Sequence, residues 1–251
     1  VYDGDHARLY RNDGNWTFTN VTADEGLGGI GNTMNYQAAW GDFDNDGDLD
    51  LLQIRFPSPG KIDTPAPNRL FQQRSDGTFL DVTATAGLGD RGYGQGVAIG
   101  DVDNDGDLDV YVTNFGPDAF YRNNGNGTFV NATTHAGFSN NRWGTSAAFV
   151  DYDRDGDLDL YVCNYVQYTL ENDVACYFKD LRIYCGPNDY QGIADTLYRN
   201  NGDGTFTDIT EAAGVFEPTT RGLGVVFTDV NNDGFIDIYV ANDMTPNTLF
   251  V

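Results

Sequence analysis

The chain has 251 residues, 40% of them apolar, and carries 38 Asp and Glu against 14 Lys and Arg, a formal net charge of −24. A surface this acidic repels phosphate, which excludes nucleic acid and anionic membranes as partners. No apolar run approaches the ~20 residues that span a bilayer. No membrane insertion is therefore expected, and the length suits one large β domain or two small ones.

In chain order, two short strands are predicted first, at residues 8–11 and 17–18, joined by an Asn/Gly turn. From residue 37 a longer unit repeats. Each copy opens with a small-residue strand (37–41, 96–100, 146–150, 224–228), runs through an Asp-rich loop (42–50, 101–109, 151–159, 229–237) and enters a second, apolar strand. A third strand follows at 69–72, 120–122 and 197–199, then a tight turn and a fourth strand at 78–79, 128–129 and 205–206. The loops start 59, 50 and 78 positions apart, and the widest spacing holds an insertion at 164–195. Four short strands per period of about fifty residues, without helical periodicity, predict an all-β fold: a propeller of four-stranded antiparallel blades. Residues 249–251 repeat the third strand once more, one strand too many for a four-bladed ring. The expectation is a single domain over 1–251 forming an arc of a larger propeller.

The Asp-rich loops carry the chemistry. Asp42, Asp44, Asp46, Asp48 and Asp50 recur as Asp101, Asp103, Asp105, Asp107 and Asp109 and as Asp151, Asp153, Asp155, Asp157 and Asp159. The fourth loop is looser, with Asp229, Asn231, Asp233, Phe235 and Asp237. Side-chain oxygens at positions 1, 3, 5 and 9, with the carbonyl of position 7, make a shell for a hard cation that takes six to eight oxygens. Phe235 is harmless at a position that offers only its carbonyl. Gly47, Gly106, Gly156 and Gly234 at position 6 suit a left-handed backbone. An EF-hand is excluded, because it needs Glu at position 12 and these loops have Gln53, Val112, Val162 and Val240. Carboxylates about 4 Å apart repel one another by about 1 kcal/mol per pair even in water, so about four Ca²⁺ are expected as cofactors.

Cys176 and Cys185 bracket a short segment that can close as a disulfide, leaving Cys163 as a buried thiol in the strand at 160–163. A small disulfide beside calcium loops points to an oxidising, calcium-rich location: extracellular, cell-surface or periplasmic.

The Asp-x-Asp-x-Asp-Gly-Asp-Leu-Asp loop, paired with Tyr-Arg-Asn-Asn-Gly-Asp-Gly-Thr-Phe at 198–206, resembles FG-GAP/VCBS repeats, the blades of integrin-α-type propellers. The stretches 240–247 and 184–187 are similar to the cartilage acidic protein and UnbV-like branch of that family. The resemblance implies about seven blades and a secreted or cell-surface, calcium-binding protein.

A catalytic centre is not legible: only His6 and His135 are present, far from any Cys or from one another. The loops expected on the face opposite the calcium loops vary most, at 55–68, 114–119, 164–195 and 242–247. Long loops on a regular scaffold are the usual seat of binding. Arg91, Arg142 and Arg221 recur just before the first strand, either as an anion-binding ring or paired with nearby carboxylates and carbonyls. The reading is a calcium-stabilised scaffold for adhesion, binding or assembly that takes a protein or glycan on this face, with further chain or further copies as assembly partners. The alternative is a propeller enzyme acting on acidic polysaccharide.

Overall fold

The computed structural model describes residues 8–27, 34–56 and 67–251, with Met34 as backbone alone. Part of the predicted variable loop at 55–68 and His6 lie outside the described residues. A hairpin, β1 (Tyr10–Gly14) and β2 (Thr17–Asn20), precedes the first full sheet. That sheet pairs β3 (Met34–Gly41), β4 (Asp50–Phe56), β5 (Arg69–Gln73) and β6 (Phe79–Asp81) in sequence order, all antiparallel. A single helical turn, α1 (Thr83–Ala86), follows where the sequence pattern predicts no helix. Thr85 and Ala86 donate to the Val82 carbonyl, and Gly87 at φ 78° ends the turn at once.

The second sheet is β7 (Gly94–Gly100), β8 (Asp109–Asn114), β9 (Ala119–Asn123) and β10 (Phe129–Asn131). The third opens with β11 (Gly144–Val150) and β12 (Asp159–Asn164). The chain then makes a separate hairpin, β13 (Cys176–Phe178) and β14 (Leu181–Ile183), before returning as β15 (Thr196–Asn200) and β16 (Phe206–Asp208). A three-stranded sheet ends the chain: β17 (Gly222–Thr228), β18 (Asp237–Asn242) and β19 (Thr248–Phe250). These are blades of a β-propeller, three of them with four strands.

The inner strands β3, β7, β11 and β17 lie side by side. Small residues permit this approach: a Cβ on Gly96 would stand 2.6 Å from the Thr145 carbonyl oxygen. Val97 N–H donates to Gln37 Oε1 across the first pair, and Thr145 Oγ1 donates to the Gly222 carbonyl across the last. Each inner strand also opens with the same bulge, at Tyr36, Gln95, Thr145 and Leu223. Outer strands are tied alike. Thr22, Thr83, Thr133 and Thr210 each accept, through Oγ1, a backbone N–H thirteen residues earlier.

The core lies between sheets. Leu52, Ile54, Leu70, Val110, Val112 and Phe129 fill the first junction, and Tyr111, Phe120, Phe138, Leu160, Tyr198 and Phe206 fill the second. Tyr161, Cys163, Leu197, Ile238 and Val240 fill the third. Antiparallel strands place the β3–β4 type of loop and the β5–β6 type of turn at one end, and the β4–β5 type of loop at the other.

Candidate metal centres and the groove opposite them

The nine-residue loops fold alike because position 1 gathers the backbone around itself. Asp42 accepts N–H bonds from Asp46 at 3.1 Å and Gly47 at 3.0 Å, as Asp101 does from Asp105 and Gly106 and Asp229 from Asp233 and Gly234. Asp151 accepts from Gly156. Position 5 then turns the chain: Asp46, Asp105, Asp155 and Asp233 accept the N–H of Asp48, Asp107, Asp157 and Phe235. Position 4 takes the left-handed conformation in every loop, at Asn45, Asn104, Arg154 and Asn232, and so does the glycine at position 6.

The loop carboxylates converge in three groups: Asp42, Asp44 and Asp46; Asp101, Asp103 and Asp105; and Asp151, Asp153 and Asp159, each with oxygens within 4.8 Å of one another. Among the described residues the fourth loop makes no such group of three carboxylates. There Asn231 stands at position 3 and donates its amide to Asp233 at 2.9 Å. Asp44 Oδ1, Asp103 Oδ1 and Asp151 Oδ1 are shut off from solvent without a hydrogen-bond donor. A buried carboxylate oxygen without a partner is costly, and a hard cation ringed by oxygens removes that cost, so these residues fit Ca²⁺. Burial, reinforced by the Asp46 charge, raises the Asp44 pKa.

Position 9 has a second task that the repeat pattern conceals. Asp50 accepts N–H bonds from Phe43 and Gln73, Asp109 from Val102 and Asn123, and Asp159 from Tyr152 and Asn200. Asp237 accepts from Val230. Each therefore closes its own loop, and the first three also anchor the end of the third strand. All four are buried, and desolvation pushes Asp50, Asp109 and Asp159 up to about 6. Position 3 has partners from the third strand as well: Gln72 donates to Asp44, and Arg122 pairs with Asp103 and stands 3.5 Å from Asp105.

The opposite face is aromatic at its inner rim. The residue after each second strand donates its N–H to the residue before the first strand: Phe115 to Tyr93, Tyr165 to Trp143 and Asp243 to Arg221. Rings at these positions run edge to face from Phe56 to Tyr93, Phe115, Trp143 and Tyr165, with neighbouring centroids 5.1–6.0 Å apart. In the last blade the same two places hold Arg221 and Asp243, and Tyr165 donates its hydroxyl to Asp243 at 2.6 Å. The sequence pattern by itself does not bring Tyr93, Phe115, Trp143 and Tyr165 together as one series. Aligning the residues that flank each strand pair would have shown the series.

The three recurring arginines do different things. Arg142 donates to the Ala194 carbonyl and to Thr196, and Arg221 to the carbonyls of Pro187 and Tyr190, whereas Arg91 is exposed. Cys176 and Cys185 are joined as a disulfide with Cα atoms 5.2 Å apart, and Cys163 is a buried thiol. The insertion, with the β8–β9 connection and the loops before β11 and β17, walls a groove of about 690 Å³ that includes Phe115, Arg142, Trp143, Tyr168, Leu170 and Phe216. A second cavity of about 370 Å³ shares Trp143 and Tyr168 and adds Tyr165, Tyr184 and Tyr190.

Beneath this face two carboxyls pin the second strand to the third. Asp118 accepts from Asn114 N–H, the Tyr111 hydroxyl and Asn140, and Asp195 from Asn164 N–H and the Tyr161 hydroxyl. Burial pushes both up to about 7. Asn68 and Asn247 hold the same place in the first and last sheets, accepting from Arg55 N–H and Asn242 N–H.

Repeated blades with acidic loops at one end define an Asp-loop type of propeller repeat. A family model described as FG-GAP-like repeat matches residues 1–52, 62–112, 101–162 and 180–240, and the chain belongs to that family. Within it the chain is similar to cartilage acidic protein 1. It is 39% identical to the Xenopus tropicalis protein over 69 residues, 28% of this chain and 10% of that protein. To the Homo sapiens protein it is 46% identical over 50 residues, 20% of this chain and 8% of that protein. The matched stretch thus spans about a tenth of those relatives. Among solved structures, an Agrocybe aegerita lectin specific for non-reducing terminal N-acetylglucosamine aligns with a TM-score of 0.46 at 18% identity, covering 93% of this chain and 54% of the lectin. The rhamnogalacturonan lyase YesW aligns at 0.43 and 16% identity, covering 83% and 41%.

Proposed function

We propose that this chain is a calcium-stabilised propeller module of the cell exterior or periplasm, and that it binds a protein or glycan partner through the insertion face. The groove of about 690 Å³ carries the reading, because it joins apolar and aromatic walls to a few polar groups, the usual make-up of a ligand site. Aromatic rings supply large contact area, and Arg142 at the rim is an exposed residue that makes two bonds to the blade. The disulfide in the insertion supports an oxidising location, and among the described residues no helix is long and apolar enough to cross a membrane. A larger propeller of about seven blades remains part of the proposal. Tyr239 is 38% exposed where its counterparts Tyr111 and Tyr161 are fully buried, so the last sheet has room for a neighbour.

The calcium loops act as clamps in this scheme and the opposite face as the reader. Asp118 and Asp195 are not offered as catalytic acids, since both are buried and engaged by strand and ring hydrogen bonds. The test is a binding screen of the native protein and of Trp143→Ala against glycan arrays and against proteins of its native source. A partner retained by the native protein and lost by Trp143→Ala, with unchanged melting, supports the groove. Equal recovery by both proteins removes it.

A further inference from the structure

Adjacent calcium loops are joined by a side-chain rung at each junction. Asn45, at position 4 of the first loop, donates to Asp107 at position 7 of the second, with Nδ2 to Oδ1 at 2.6 Å. Asn104, at position 4 of the second, donates to Asp157 at position 7 of the third at 2.8 Å and to the Gly156 carbonyl at 3.3 Å. At the third junction both residue types change together. Phe235 replaces the aspartate, and Arg154 replaces the asparagine and lies over the ring at 4.8 Å from its centroid. A guanidinium over an aromatic face is again an attractive contact, so the rung persists by different chemistry. Arg154 keeps the left-handed backbone of position 4, at φ 64°, a conformation that asparagine takes more readily.

A second tie crosses the first two junctions. Asn123 Nδ2 bridges the Phe43 carbonyl of the first loop and the Leu108 carbonyl of the second, at 2.9 and 3.2 Å. Asn200 does the same between Val102 and Leu158, at 2.7 and 3.1 Å. The backbone N–H groups of these two asparagines are held by Asp109 and Asp159, the ninth residues of the second and third loops.

We infer that the calcium loops are coupled in series, position 4 of one loop acting as a positioning residue for calcium at the next. Position 4 sits between two ligand positions of its own loop, so a cation that fixes positions 3 and 5 also fixes the amide or guanidinium between them. That group then holds position 7 of the following loop, whose carbonyl is the expected ligand. Loss of a group that orients a metal ligand from outside the coordination shell typically costs about 10–100-fold in metal affinity. Filling one loop thereby favours filling the next, and by thermodynamic reciprocity the reverse holds too. This inference rests on the calcium reading of the loops, and its test separates the two.

The probe is terbium, a calcium-sized lanthanide. Tyr152 lies inside the third loop, where the other loops have Phe43, Val102 and Val230, and a tyrosine beside a bound terbium sensitises its emission. The part of the signal lost in Tyr152→Phe therefore reports the third loop. Asn104→Gly removes the rung and keeps the left-handed backbone that Asn104 adopts at φ 57°. The expected result is a rise of about tenfold in the terbium concentration that half-fills the third loop. Asp157→Ala cuts the same rung from its other side and keeps the carbonyl, so it carries the test if Asn104→Gly fails to fold. The double variant is expected to shift no further than either single one. An unchanged half-saturation, or fully additive shifts, overturns the coupling. Absence of sensitised emission from the native protein overturns the calcium reading and the coupling with it.

Discussion

The two ends of the blades obey different rules. At the Asp-loop end, each repeat makes the same turn with nearly the same bonds, and at one place where residues differ a contact takes over, Arg154 over Phe235 standing for an Asn–Asp pair. At the other end the repeats share only backbone positions, and their contents diverge: rings in the first three full blades, Arg221 and Asp243 in the last, and a long disulfide-bearing insertion in one. Uniformity at one end marks a shared physical task, the containment of concentrated negative charge. Divergence at the other shows that the shared backbone positions there leave their side chains unconstrained, as the proposed binding role requires.

Removing calcium is the strongest way to break the first end. Each loop held at about 100 times its dissociation constant adds about 2.7 kcal/mol to the folded state. With two or more loops filled, the melting midpoint in EGTA is expected to fall by about 10 °C or more relative to millimolar Ca²⁺. Coincident melting curves under the two conditions would sink the calcium assignment.

A pair of substitutions sharpens the difference between ligand and strut within one loop. Asp109→Ala strips the acceptor from Val102 N–H and Asn123 N–H, both closed within the second loop and blade. Leaving two buried donors unpaired costs about 2–6 kcal/mol, and this loss is expected even in EGTA. Asp105→Ala, at an exposed position, is expected to lower calcium affinity and leave urea unfolding in EGTA nearly unchanged. Equal unfolding midpoints for the two variants in EGTA would refute the strut.

Acidity tests the opposite end. Burial raises Asp118 and Asp195 to about 7, so the folded state holds their protons more tightly than the unfolded chain does. The stability they contribute is full below about pH 4 and is lost as pH rises through about 7, at about 1.4 kcal/mol per pH unit for each group. Asp195→Asn copies Asn247, which accepts Asn242 N–H and donates to the Tyr239 hydroxyl at 2.6 Å. The variant is expected to lose one group's share of the slope in urea unfolding followed from pH 4.5 to 7.5 in EGTA. The raised loop carboxylates change stability in the same direction but are common to both proteins and cancel. Parallel pH profiles would remove Asp195 as a titrating pin.

Much of this was legible in the sequence because a repeat shows its pattern several times. The four Asp loops, the strand order, and the Cys176–Cys185 pair with Cys163 buried can all be read from spacing and alternation. What escaped is what joins one repeat to another. Asn45 and Asp107 are 62 residues apart, and nothing local marks either as the other's partner. The dual task of the ninth aspartate was hidden because a ligand and a strut call for the same residue. The aromatic rim escaped as a series because only register places Tyr93, Phe115, Trp143 and Tyr165 in one line. The helical turn at Thr83–Ala86 is too short for periodicity to show.

The smallest effect is expected where the divergent end is most detached from the blades. The Cys176–Cys185 bond closes a hairpin that is largely exposed, tied to the fourth blade through Arg221 and the carbonyls of Pro187 and Tyr190. A disulfide stabilises by limiting the unfolded chain, and a loop this short would count for about 2–3 kcal/mol if reduction left the native hairpin intact. The hairpin, however, can open alone. The entropy released by reduction is then gained in the native protein as well as in the unfolded chain, and the two gains cancel in the global equilibrium. Reduction is therefore expected to move the melting midpoint by less than about 2 °C, while protease cutting within residues 165–194 rises sharply. A large drop in the midpoint instead would mean that the insertion is part of the cooperative fold, and the contrast between a uniform structural end and a detachable recognition end would have to be redrawn.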